Sequence, residues 1–196
     1  MYIYKYMPIN FNLQELKEEH DCKIYLETGL FDPTCDVSCK KALSANFDKV
    51  YSIEIRSEFV ESGKEIFKEY IDNDKLVLIN DDSTNLLNYL NNDDFNKKTL
   101  FFLDAHVDNG DIKNFKRRCP LFEELQGIAN LQRKDHVICV DDIRYLKEPF
   151  PWSEFSFGPI IFLDYIQNII LLINPKYKFK YLNGQIENDV LVAYIE

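Results

Sequence analysis

At 196 residues, 46% hydrophobic and 14% aromatic, the chain has the material for one packed core and no stretch polar enough to stay disordered, so a single domain over 1-196 is expected, with 1-21 as an N-terminal appendage. A formal net charge of -10 excludes a surface built for nucleic-acid phosphates, which needs clustered Lys and Arg. Five scattered cysteines without C-x-x-C spacing exclude a disulfide framework and a structural zinc, and the longest apolar run, Ile160 to Ile173, falls short of a membrane span; a cytoplasmic protein is expected (host cytoplasm if viral).

In chain order, Leu13 to Glu19 reads as a short amphipathic helix, and from Lys23 onward short β-rich runs alternate with helical patterns, the signature of a parallel sheet covered by helices. Strands are expected at Lys23 to Glu27, Lys49 to Glu54, Lys75 to Asn80, Leu100 to Asp104 and His136 to Asp141. Between them, Ser38 to Asn46, Ser57 to Ile71, Thr84 to Leu90 and Leu121 to Leu131 carry apolar residues at helical spacing; in the second of these, Phe59, Ile66, Phe67 and Tyr70 mark the buried face. Leu163 to Ile173 reads as a further helix. Two closing strands, Tyr177 to Tyr181 and Val190 to Ile195, are joined by the turn-forming pair Asn183-Gly184. The fold class is α/β: a Rossmann-like, doubly wound, mostly parallel seven-stranded sheet with a C-terminal antiparallel hairpin.

In an open parallel sheet, ligands bind outside the carboxyl ends of the strands. Those ends read Glu27-Thr28-Gly29, Glu54, Asp81-Asp82-Ser83, Asp104-Ala105-His106 and Asp141-Asp142-Ile143-Arg144. One carboxylate after a strand is commonly a helix cap, but acids after strand upon strand repel one another unless cations or ligand hydroxyls lie between them. Gly29 permits a tight turn, and an acid at Glu54 can accept hydrogen bonds from both hydroxyls of a ribose, which suits a dinucleotide or S-adenosylmethionine.

The strings ETG at Glu27 to Gly29, YSIE at Tyr51 to Glu54, DDS at Asp81 to Ser83, FFLDAH at Phe101 to His106, CPLFEEL at Cys119 to Leu125 and VDDIR at Val140 to Arg144 together resemble class I S-adenosylmethionine-dependent methyltransferases. The resemblance implies a cofactor site of Glu27, Thr28, Gly29, Glu54, Asp82, Ser83 and Asp104, and a closing reversed hairpin. The family's second glycine is replaced by the longer run Leu30 to Asp36. Asp104, Asp141 and Asp142 look like the carboxylate set of the metal-dependent, sugar-directed O-methyltransferases. Either the three hold a hard ion such as Mg²⁺, or Asp104 assists the cofactor while the other two cap a helix or position substrate. His106 is the candidate base, and Arg144 either orients the acceptor or neutralises the aspartates beside it.

The expected activity is methyl transfer to a hydroxyl of a small-molecule or carbohydrate acceptor, without nucleic-acid or membrane partners and with room for a homo-oligomer. Phe150, Trp152, Phe155 and Phe157 offer a stacking face for a sugar ring, or simply fill a loop. Two alternatives remain. A module that binds S-adenosylmethionine without catalysis would explain the altered first loop. A metal hydrolase is suggested by the DAHxD string from Asp104 to Asp108, but the further Asp and His motifs of that class are missing.

Overall fold

The computed structural model describes residues 9–35, 37–105, 119–147 and 162–196. Helix α1 (Leu13–Glu19) precedes β1 (Ile24–Thr28), α2 (Ser38–Ser44), β2 (Lys49–Glu54), α3 (Ser57–Ile66), α4 (Lys68–Asp72) and β3 (Leu76–Asn80). Two 3₁₀ segments, Ser83–Asn88 and Asp93–Asn96, lead into β4 (Thr99–Leu103). Helix α5 (Leu121–Asn130), β5 (Val137–Val140), α6 (Ile143–Leu146), α7 (Phe162–Ile173), β6 (Lys178–Leu182) and β7 (Val190–Tyr194) complete the order.

The seven strands form one sheet in the order β3-β2-β1-β4-β5-β7-β6, with β7 antiparallel to both its neighbours and all other pairs parallel. Strict alternation along the strands divides the core between the two faces. Ile24, Leu26, Ile53, Phe101, Leu103, Ile138 and Val140 join α5 and α7 in one apolar cluster. Tyr25, Val50, Leu100, Phe102, Val137 and Cys139 join α1 and α2 in the other. The expected five parallel strands and closing reversed pair are all present. Among the described residues no helix is long and apolar enough to cross a membrane, and the five cysteines are unpaired.

Three local expectations are corrected. The helix expected from Ser57 to Ile71 breaks at Phe67 into α3 and α4, and Ile66 and Tyr70 are exposed. The stripe that packs inward is Val60, Gly63 and Phe67, because a Cβ on Gly63 would meet Leu78 at 2.9 Å. The helix expected from Thr84 to Leu90 is instead a 3₁₀ segment, begun where the Asp82 side chain accepts from the Thr84 backbone N–H at 2.9 Å. Asn183-Gly184 does not make a tight turn. The connection runs from residue 183 to 189, with the Gly184 N–H donating to the Ile186 carbonyl at 3.0 Å and Asn188 taking a left-handed φ of 56°.

Candidate functional site

Strand order reverses between β1 and β4, so their carboxyl ends flank the crevice where ligands bind in sheets of this kind. The two ends are tied together. The Asp104 backbone N–H donates to the Thr28 carbonyl at 3.1 Å and lies 3.3 Å from its hydroxyl. Gly29 has a φ of +88°, and a Cβ there would stand 2.9 Å from the Asp104 carbonyl carbon. The glycine is therefore needed first for the close approach of its own chain at the switch point.

At the end of β2, Glu54 is almost fully buried. Its carboxylate accepts from the Phe31 backbone N–H at 2.9 Å and the Arg56 backbone N–H at 2.8 Å. Burial raises its pKa and the amide bonds pull it back down. After β3, Asp81 accepts from the Asp82 N–H, the Asn85 side-chain amide and the Tyr89 hydroxyl. Asp82 is half-buried and Ser83 is buried beside it.

Glu27 is placed differently from the expected cofactor ligand. Its carboxylate lies wholly inside the face covered by α2, accepting from the hydroxyls of Ser38 at 2.5 Å, Ser52 at 2.7 Å and Tyr25 at 3.1 Å. Burial raises its pKa to about 7 against the pull of those three hydroxyls. All of its contacts fasten α2, β1 and β2 to one another.

Sequence reasoning missed Glu124. It stands in the first turn of α5 with no exposed surface, and neither carboxylate oxygen has a hydrogen-bond partner among the described residues. Burial pushes its pKa up to about 7; the nearby Ser83 and Thr28 hydroxyls draw it down, although neither meets it in hydrogen-bonding geometry, and Glu123 and Asp82 repel. The signal was there to read: Leu121, Glu124, Leu125 and Ile128 fall on one helical stripe, and all four are buried.

At the end of β5 the structure brings Asp141, Asp142 and Asp189 together, with one carboxylate oxygen of each within 4.8 Å of the others. Asp104 is not one of the three. Asp142 has a left-handed φ of 57°, a conformation Asp tolerates better than most residues. Asp189, from the 183–189 connection, does the capping of α6. Its backbone carbonyl accepts from the Ile143 N–H at 2.9 Å and its carboxylate from the Arg144 N–H at 3.1 Å. The Arg144 guanidinium pairs with Asp142 at 2.5 Å and with the fully buried Asp189, and donates to the Gln185 side-chain carbonyl at 2.6 Å. Asp141 is buried with Oδ1 unpartnered among the described residues, and burial followed by repulsion from Asp142 raises its pKa.

No protein-family model and no curated protein matches the chain. Solved structures do. A Staphylococcus aureus protein assigned as a caffeoyl-CoA O-methyltransferase superposes with a TM-score of 0.60 at 16% identity, over 97% of this chain and 86% of that one. The O-methyltransferase TomG of Streptomyces achromogenes, solved in complex with SAM, gives 0.56 at 16% identity over 94% and 78%. The Bacillus cereus O-methyltransferase in complex with SAH gives 0.57 at 16% identity over 94% and 79%. The chain shares the fold of these O-methyltransferases.

On that methyltransferase fold, Thr28, Gly29 and Asp104 meet at the switch point, Glu54 lies at the end of the adjoining strand, and Asp82 and Ser83 follow at the end of β3. Glu27 turns into the sheet face. Asp141, Asp142 and Arg144 form a separate group, completed by Asp189, which the sequence did not single out. His106 and the aromatics Phe150, Trp152, Phe155 and Phe157 lie outside the described residues.

Proposed function

We propose that the chain is an S-adenosylmethionine-dependent O-methyltransferase that modifies a hydroxyl of a small acceptor, a sugar or glycan precursor being the class its aromatic residues suit. Glu54 carries the reading. A carboxylate offers about four acceptor sites, and the two backbone amides that fix Glu54 leave capacity for ribose hydroxyls beside the switch-point crevice. The donor set therefore fits the adenosine portion of the cofactor.

Bound S-adenosylmethionine supplies an electrophilic methyl group. The chain would supply position and proton management: the turn at Gly29 would border the methionine portion, Glu54 would hold the ribose, Asp82 with Ser83 would serve the adenine, and Asp104 stands at the switch point. His106, two residues on in sequence, is the base for the acceptor's hydroxyl proton. Phe150, Trp152, Phe155 and Phe157 offer apolar faces to a sugar ring. Mg²⁺ does not fit the carboxylates as they are arranged: Asp104 stands outside the group, and Asp142 and Asp189 are both committed to Arg144.

Isothermal titration with S-adenosylhomocysteine and, separately, with NAD tests the reading. The homocysteine compound should bind, and Glu54→Gln should weaken it by roughly tenfold or more, since a hydrogen bond to a charged group contributes about 1.5–3 kcal/mol. Binding of NAD alone would overturn the assignment. Cofactor binding without transfer to sugars, polyols or phenols would mark a non-catalytic binding module.

A further inference from the structure

The cluster at the end of β5 has the composition of a cation site, and it already contains a cation. We infer that Arg144 is the resident positive charge of this site, standing between Asp142 and Asp189 where a divalent ion would otherwise sit, so that the chain works without a metal. The catalytic half of this inference rests on the methyl transfer proposed above; the binding half does not.

Three features of the geometry carry it. First, the guanidinium is held from several sides. It meets Asp142 at 2.5 Å, the Gln185 side-chain carbonyl at 2.6 Å and also the Asp189 carboxylate, while the Arg144 backbone N–H is itself bonded to the Asp189 carboxylate at 3.1 Å. A planar fork meeting two carboxylates is how Arg, rather than Lys or a hydrated ion, is recognised. The Asp189 side chain is completely buried and that of Arg144 is 20% exposed, which distinguishes the arrangement from a mobile surface pair.

Second, the loop that delivers Asp189 and Gln185 is pressed against the third acid. A Cβ on Gly184 would stand 2.9 Å from Asp141 Oδ1 and 3.0 Å from Val190 Cγ2. Mg²⁺ sheds its waters reluctantly and usually keeps several of them. A backbone packed this closely on Asp141 leaves little space for such a shell.

Third, the remaining acid needed for the expected ligand set is elsewhere. Asp104 is joined through its backbone to Thr28 at the switch point and does not enter the three-acid group. A dication added to the group would lie against a guanidinium in partly buried surroundings, where like charges a few ångström apart repel strongly. With Arg144 in this place Asp142 and Asp189 are paired from within the chain, and the acceptor hydroxyl gains no acidity from a metal; its proton is left to a side-chain base.

The experiment is Mn²⁺ binding followed by electron paramagnetic resonance on the full chain, for wild type, Arg144→Gln and Arg144→Lys, without cofactor. Wild type and Arg144→Lys should show no bound Mn²⁺, whereas Arg144→Gln should bind it about tenfold or more tightly than either, as expected when a positive charge is removed from among carboxylates. Stoichiometric Mn²⁺ on wild type overturns the inference. So does a folded Arg144→Gln that remains as blind to the ion as wild type, because Arg144 would then not be what holds its place. Should circular dichroism show Arg144→Gln unfolded, Arg144→Met, which keeps an unbranched stem while removing the guanidinium that lies over the Tyr145 ring, is read in its stead. The catalytic half is tested separately: turnover that survives a chelator supports it, and turnover lost to chelator and restored by Mg²⁺ overturns it. The homocysteine titration reports on the methyltransferase reading independently of all these outcomes.

Discussion

Replacing Glu124 with Gln should flatten the fall in stability that the wild type shows as pH rises from about 5 to about 8. The carboxyl is wholly buried and its pKa rises from 4.5 to about 7 on folding. Between those values the folded chain holds a proton that the unfolded chain has released, so stability is full below 4.5 and declines until pH passes about 7. At 1.36 kcal/mol per pKa unit, the cost is on the order of 3 kcal/mol. For a chain of this length that corresponds to roughly 6–12 °C in Tm.

Glu27, also raised to about 7, acts in the same window with the same sign. His136 opposes both: burial lowers it from 6.5 to about 4, so the stability it contributes is present above 6.5 and is lost as pH falls through 4. Both residues remain in the variant and cancel in the comparison. The assay is thermal unfolding of wild type and Glu124→Gln across that pH range. The variant should lose less, by roughly the 6–12 °C assigned to this one group. Parallel curves for the two proteins would refute the reasoning, because the carboxyl would then not be paying for its burial.

Gly29→Ala should lower the urea midpoint by the equivalent of about 1–3 kcal/mol, the range for a non-glycine residue held in strained backbone, with a further loss from the clash with the Asp104 carbonyl. An unchanged midpoint would show that the first turn is free to relax. Asp189→Asn should cost about 3 kcal/mol in the same measurement, since it removes one partner of a buried ion pair; a cost below about 1 kcal/mol, the level of an exposed pair, would show that Gln185 and Asp142 hold Arg144 unaided.

The sheet was legible because its strands are buried on both faces and therefore read as short continuous apolar runs between helical patterns. Every acid at a strand end was visible for the same reason. What escaped the sequence was direction and company. Glu27 and Thr28 are neighbours, yet alternation sends Glu27 beneath α2 while Thr28 joins Asp104 at the crevice. The buried stripe of α3 passes through Gly63, a residue with no side chain for a hydrophobic pattern to count. Glu124 occupied a core position in plain view, but a charge is expected on the outer face of a helix. Asp189 was hidden by distance: its partner Arg144 lies 45 residues earlier.

That last separation governs when the site can come into being. A growing chain that has completed β5 and α6 already carries Asp141, Asp142 and Arg144, but Asp189 and Gln185 have not yet been made. Until β7 pairs with β5 and draws the 183–189 connection across the strand end, α6 lacks its cap and Arg144 lacks two of its partners. The hairpin thus acts as a completion signal: the acids are joined to their cation only after the reversed strand has found its place.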